Sequence, residues 1–326
     1  MAAKKTTLIG IGVMVLGVVV AGVGLRGVVV GPTKPVPRAA PVQSPATPTA
    51  APGAEPSPSA TASASGRAYD HVVVVVLENH SFESVSGNSQ APYLNSLAAQ
   101  NALATGYSGV SHPSLPNYLA LTGGSTFGIT SDCTGCFVGA PSVADPVEAA
   151  GLTWRAYNES MPSACFGGDA YPYAQKHDPF FYYNSIRQNP SRCANIVPLT
   201  SLDSDFASAG TTPAFSLVTP NMCNDGHDCS LVTTDGWLAR FVPSLMSSPG
   251  FASGRSLLVV TYDEGVGGSD RVVTVFAGSG IKAGFTSARQ YNHYSLLRTV
   301  EDSLGLATLG QADQSATSMK EFFTAG

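Results

Sequence analysis

Five consecutive valines, in the segment His71–Leu77 (HVVVVVL), constrain this chain more than any other feature. Side chains branched at Cβ are stiff and favour extended backbone, and the run is short for a helix. It does not alternate apolar with polar, so the strand must be covered on both faces, as in a parallel sheet between layers of helices. Ala214–Thr219, Ser256–Tyr262 and Val272–Phe276 share this character, and Thr153–Tyr157 is a shorter candidate strand. Helical stretches fall between them at Ala91–Gln100, Asn117–Leu121, Ser142–Ala150 and Tyr294–Leu304. In the last, Leu296, Leu297, Val300 and Leu304 share one face and Gly305 supplies a C-terminal stop. Strands alternating with helices predict a layered α/β fold.

The rest of the chain bounds where that fold begins. Residues 8–25 are an unbroken apolar run preceded by Lys4 and Lys5, the pattern of an export signal or a membrane anchor, with the downstream chain outside the cytoplasm. Residues 1–31 are therefore read as a signal peptide or signal anchor, with membrane contact through this segment if it is not cleaved. No cysteine stands directly after the run, which excludes a lipoprotein anchor. Residues 32–66 are rich in Pro, Ala, Ser and Thr and read as a disordered spacer, because such a stretch buries too little apolar surface to offset its ordering entropy. Residues 67–326 remain for one folded domain.

All six cysteines lie in that domain. An even number in an exported chain suggests disulfides, and pairing near neighbours gives Cys133–Cys136, Cys165–Cys193 and Cys223–Cys229, although spacing alone permits other connectivities. A zinc site would show a second CxxC or paired histidines beside the first, and neither is present. The formal net charge is −5 and the folded part has no basic cluster, which argues against a nucleic-acid partner.

The residues just beyond the strands carry chemistry. Glu78 and Asn79 come directly after the valine strand, Asp225 and His227 soon after the strand ending near Thr219, and Asp263 and Glu264 directly after Ser256–Tyr262. Ligands of open α/β sheets bind outside the carboxyl ends of the strands, so these pairs are expected to converge. Carboxylates gathered in one place repel unless a cation joins them, and oxygen donors suit Mg²⁺, Ca²⁺ or Mn²⁺, with histidine widening the choice to zinc or iron. Asp-Glu-Gly and Glu-Asn are also ordinary turn compositions, so either pair alone decides little.

Residues 111–124 (SHPSLPNYLALTGG) read as a nucleophile turn. Ser114 stands just ahead of Pro116, which suits a first helical turn, and a hydroxyl there lies in a positive field with free N–H groups nearby. A plain serine cap has the same spacing. Asn117 is placed to donate to a phosphoryl oxygen. Among the histidines, His112, His227 and His293 are candidates, while Lys176 and His177 could bind an anionic phosphate or cap a loop.

Taken in order, VVVVLENHSF, HPSLPNYLALTGG, TPNMCNDGHD, TYDEG and YNHYSLLRTVED resemble the successive motifs of the bacterial phosphoesterase family. That family holds acid phosphatases and phospholipases C within the alkaline phosphatase superfamily, and YNESMP and KHDPF are similar to its secreted acid phosphatases, some described as phosphatidylinositol-3-phosphatases. The resemblance implies an alkaline-phosphatase-like α/β sandwich with a mostly parallel central sheet flanked by helices, and makes residues 67–326 a catalytic domain. It implies a divalent metal held by Glu78, Asn79, Asp263 and Glu264, with a Glu where relatives often carry Asp or His. It implies Ser114 as nucleophile, matching a Ser/Thr/Cys-x-Pro pattern. Asp225, His227 and His293 fall where related enzymes hold a second metal or phosphate, without the usual Asp-x-x-x-His spacing. The similarity of SHPSL to a sulfatase motif fails at Leu115, which replaces the arginine that motif needs.

The resulting expectation is an exported acid phosphatase forming a phosphoserine on a small-molecule or phospholipid monoester such as phosphatidylinositol 3-phosphate. Asn117 and Lys176 would hold phosphoryl oxygens beside His112 and His177, and His227 or His293 would protonate the leaving oxygen. A phospholipase C-type phosphodiesterase is the alternative on this scaffold. The apolar run and spacer, taken alone, also fit a non-catalytic wall-anchored binding protein, which would have no need of Ser114.

Overall fold

The computed structural model describes residues 66–266 and 269–324. The expected export segment and all but the last residue of the expected spacer lie outside these. Among the described residues no helix is long and apolar enough to cross a membrane.

Ten strands are numbered in chain order: β1 His71–Leu77, β2 Ala102–Ala104, β3 Tyr107–Ser108, β4 Trp154–Asn158, β5 Ile196–Pro198, β6 Phe215–Thr219, β7 Ser256–Tyr262, β8 Thr274–Gly278, β9 Phe285–Ser287 and β10 Tyr291–Asn292. Eight form one sheet in the order β5-β4-β6-β1-β7-β8-β2-β9, and β3 pairs with β10 separately. Only β8 runs against the rest, pairing antiparallel with β7 and β2. The layered α/β fold with a mostly parallel sheet is thus as the strand pattern predicts, and β1 and β7 are buried along their whole length, as unalternating apolar runs require.

Two helices position the site. Ser114–Gly123 begins at the serine and ends on Gly124, whose φ of 70° is the left-handed conformation that closes a helix. Pro116 is tolerated because its missing N–H is one of the first-turn groups without an intrahelical partner. His293–Leu304 packs against that helix and against β1. Its start is capped by Asn292, whose Oδ1 accepts from the Tyr294 and Ser295 amides, and Gly305 stops it as expected. The longest helix among the described residues, Leu231–Ser247, has no counterpart in the sequence pattern, since Gly236 and Pro243 interrupt that pattern. The three disulfides are Cys133–Cys136, Cys165–Cys193 and Cys223–Cys229, the near-neighbour pairing.

Candidate active site

Register brings the first carboxylates together. Leu77 of β1 pairs with Tyr262 of β7, so the next residues, Glu78 and Asp263, leave adjacent parallel strands side by side. The Asp263 amide donates to Leu77 O (2.9 Å) and the Asn79 amide to Asp263 Oδ1 (3.2 Å). Asn79 turns the chain at φ 56°, a left-handed conformation that Asn tolerates better than most residues. On the other side of β1, the loop after β6 brings Asp225 in, its carbonyl accepting from the Glu78 amide at 2.9 Å. Cys223–Cys229 closes this loop around Asp225 and His227.

Ser114 Oγ, at the buried head of its helix, donates to Glu78 Oε2 at 2.9 Å. The other Glu78 oxygen, Oε1, lies 3.0 Å from His177 Nε2, and His177 Nδ1 lies 3.1 Å from Asp225 Oδ2. Despite these distances, Glu78 Oε1, His177 Nε2, Asp225 Oδ2 and Asp263 Oδ2 are buried without a hydrogen-bond partner. Buried polar atoms of native proteins are nearly always satisfied, so four orphans in one cluster point to a missing common partner. Burial, with Asp263 and Asp225 nearby, pushes the Glu78 carboxyl well above its usual range. Burial and then Glu264 do the same to Asp263. Asp225 rises to about 7, chiefly through burial. His177 is driven well below its usual value by burial and then by Lys176 and His227. Three carboxylates that cannot all ionise, beside a neutral imidazole, fit a divalent cation. Glu78, His177 and His227 also present donor atoms within 4.8 Å of one another.

Lys176 and His227 form the open side. Lys176 Nζ lies 2.9 Å from His227 Nε2 and 3.1 Å from Asp132 Oδ2, while His227 Nδ1 lies 2.7 Å from Asp228 Oδ1. The carboxylate can only accept, so Nδ1 keeps the proton and donates it to Asp228, which leaves Nε2 as the acceptor facing the ammonium. Asp132 Oδ1 accepts from the Leu115 amide at 3.0 Å, fixing the head of the helix that begins at Ser114.

The remaining predicted residues stand around this centre. Glu264 points away from the carboxylate cluster because consecutive side chains leaving a strand alternate direction. Its Oε2 meets His112 Nδ1 at 3.0 Å and Asn117 Nδ2 at 3.1 Å. His112 Nε2 meets Asp270 at 2.6 Å, and although burial works against it, the Asp270 and Glu264 carboxylates raise its pKa. Asn117 spends its side chain inside the protein, its Oδ1 accepting from the Val110 and Ser111 amides and its Nδ2 donating to Ser111 O. His293 is buried with both nitrogens taken. A carbonyl can only accept, so Nε2 carries the proton toward Asp263 O (2.5 Å) and Nδ1 accepts from Tyr107 OH (2.8 Å). Burial brings its pKa down to about 4, so it is a neutral strut beneath Asp263.

Asp132 and Asp270 carry no signal in the sequence. Each is an isolated acid in a loop, with no spacing that ties it to a strand end. Asp228, directly after His227, is legible as a neighbour able to fix the imidazole.

The phosphoesterase family model matches residues 87–307. The chain belongs to this family. Among its relatives, a phosphate-repressible acid phosphatase of Penicillium chrysogenum is 33% identical, over 79% of this chain and 64% of its own length. The phosphatidylinositol-3-phosphatase of Mycobacterium tuberculosis is 36% identical, over 75% of this chain and 80% of its own. In fold, this phosphoesterase resembles an alkaline phosphatase superfamily protein of Vibrio parahaemolyticus, with a TM-score of 0.55 at 13% identity over 79% of this chain and 73% of that one.

Proposed function

We propose that this phosphoesterase is a metal-dependent phosphatase that hydrolyses phosphomonoesters through a phosphoserine on Ser114. One observation carries the reading: a serine hydroxyl at a buried helix head bonds one oxygen of Glu78, while the other oxygen faces a group of unpartnered metal-type donors. The acid phosphatase and phosphatidylinositol-3-phosphatase relatives support the same reaction class.

Glu78, Asp225, Asp263 and His177 would hold the cation, with Asn79 bracing Glu78 through its amide at 3.2 Å. A cation there would offset charge on the attacking oxygen and on the transferred phosphoryl group, and a nitrogen donor among the carboxylates suits Zn²⁺ or Mn²⁺ better than Mg²⁺ or Ca²⁺. Ser114 Oγ attacks phosphorus as its proton passes to Glu78 Oε2 and the bond to the leaving oxygen breaks. The leaving oxygen takes its proton from the His227–Lys176 pair: Nε2, a bare acceptor at rest, receives a proton from the Lys176 ammonium 2.9 Å away and passes it to the leaving oxygen, leaving the lysine neutral until the next step. His227 is assigned here rather than to the cation because an ammonium already faces its Nε2. Water then attacks the phosphoserine, giving its proton back to the His227–Lys176 pair, and Glu78 returns a proton to Ser114 Oγ as phosphate departs. Asn117 and Glu264 brace the nucleophile loop. The three disulfides support a site of action outside the cytoplasm.

The test is hydrolysis of p-nitrophenyl phosphate and its bis-ester by the wild type, by Ser114→Ala, and by chelated wild type before and after metal is restored. The reading predicts monoester turnover, reduced at least about 10³-fold by the substitution and reversibly abolished by chelation. Faster cleavage of the bis-ester would favour a phosphodiesterase, and an active Ser114→Ala protein would refute the serine mechanism.

A further inference from the structure

At the opposite end of the sheet from the carboxylates lies a second recess. β1 begins at His71 and β7 at Ser256, each seven residues ahead of Glu78 and Asp263, so this end stands roughly 20 Å from them. There a cavity of about 570 Å³ is lined by residues that include Tyr69, Arg255, Ser279, Lys282, Lys320 and Phe323. The mechanism uses none of these residues.

The walls are held by the strand ends. Tyr69 is buried, its hydroxyl donates to Ser279 O at 3.0 Å, and its ring meets that of Phe323 edge-on with centroids 5.3 Å apart. Ser279 is fixed in turn by β7, its amide donating to Ser256 O at 2.8 Å and its Oγ accepting from the Ser256 amide at 3.3 Å. The Thr324 amide donates to Gly280 O at 2.7 Å, which ties the segment carrying Phe323 to the turn after β8. Lys282 Nζ donates to Glu321 O at 2.8 Å, so that its stem runs along the same wall.

The charge of the lining is one-sided. Arg255, Lys282 and Lys320 all contribute to it, and among the described lining residues none is acidic. Asp70, outside the lining, offsets Arg255 at 3.2 Å, Lys282 keeps two N–H donors beyond its bond to Glu321 O, and Lys320 is exposed. The whole chain carries a formal net charge of −5, so a preference for anions here comes from this local grouping and not from the protein's overall field. A bare inorganic anion would leave the two aromatic rings uncovered, a neutral apolar ligand would leave the ammonium groups unanswered, and a cation would be repelled. A ligand with an anionic head and an apolar chain meets both halves of the lining. The volume falls within the roughly 300–1,000 Å³ of pockets that enclose one small molecule.

We propose that this cavity is a second ligand site, which takes up one acidic amphiphile with its carboxylate among Arg255, Lys282 and Lys320 and its chain against Tyr69 and Phe323. The bound molecule is not a substrate, because the length of the sheet separates it from Ser114. The inference stands apart from the phosphatase reading and needs no catalytic residue.

The experiment is calorimetric titration of the full chain with decanoate below its micellar concentration, at low ionic strength, beside acetate, decyl maltoside and decyltrimethylammonium. Decanoate should bind at one site, at least about tenfold more tightly than acetate, which lacks the chain, and than the two amphiphiles that lack the negative head. Added salt should weaken it by screening the three cations. Lys320→Glu, at an exposed position, should weaken decanoate at least about tenfold, and Lys282→Gln by about threefold or more. The melting temperature of each ligand-free variant should match that of the wild type, which separates a lost ligand contact from a lost fold. Equal affinity for decyl maltoside, or decanoate binding that neither substitution moves, would overturn the inference. So would binding to phosphatidylglycerol vesicles with no single-site binding of decanoate, which would make this end a membrane-facing surface instead.

Discussion

At Glu78 the two carboxylate oxygens face different partners, Oε2 the Ser114 hydroxyl and Oε1 the His177 imidazole, so one residue couples the proposed nucleophile to the proposed cation donors. His227 makes a comparable division, with Nδ1 on Asp228 and Nε2 on Lys176. If His227 carries the leaving-group proton, His227→Gln should lower kcat by about 10²–10⁴-fold on alkyl phosphates. The loss should be much smaller on p-nitrophenyl phosphate, whose leaving group hardly needs a proton. Steady-state kinetics across phenyl and alkyl esters checks this, and a uniform loss would assign His227 to the cation instead. Glu78, Asp263, Ser114 and His227 are legible in the sequence because each sits at a strand end or a helix start, where position and chemistry coincide. The split between Asp263, which joins the centre, and Glu264, which braces it, is not legible. It depends on which way each side chain leaves the strand. His177 is the converse case: a lysine–histidine pair in a loop gives no sign that the histidine turns inward between Glu78 and Asp225.

Among elements, β1 and β7 set the site by register, and the segment around Gly109 closes against it. A Cβ at Gly109 would stand 2.8 Å from Asp263 O and 3.4 Å from Asn117 Oδ1. Gly109→Ala must therefore push the loop ahead of Ser114 from the carboxylates, where displacement by a fraction of an ångström reaches the Ser114–Glu78 contact. The expected result is a loss of kcat of at least about tenfold with a modest drop in melting temperature, measured by kinetics and thermal unfolding of the same protein. The strands His71–Leu77 and Ser256–Tyr262 are legible to the residue because apolar runs covered on both faces need no partner to be recognised. β2, β5 and β9 are not, since three-residue strands carry too little pattern and exist through pairing with distant segments.

For the whole molecule, Glu301 on the helix packed against that of Ser114 is a buried carboxyl without a hydrogen-bond partner among the described residues, facing the equally buried Asp313. Burial, and then Asp313, raise its pKa to about 8 from the ordinary glutamate value of 4.5. The folded state thus binds this proton more tightly than the unfolded chain does. Its stabilising contribution is complete below about pH 4.5 and is lost as pH rises through about 8. Melting temperature should therefore fall from pH 5 toward pH 9, and Glu301→Gln should flatten that slope. A slope unchanged by the substitution would place the titrating group elsewhere. The Glu301 pairing cannot be read from sequence, because it joins two helices through a contact that only the folded core creates.

The covalent intermediate is the most direct test of the account. Wild-type enzyme mixed with p-nitrophenyl phosphate, quenched in acid within the first turnovers and digested should yield one phosphorylated peptide, modified at Ser114 and absent from Ser114→Ala. Phosphate found on a histidine, or none on an enzyme shown to be turning over, would contradict a serine nucleophile and leave this centre to activate water directly.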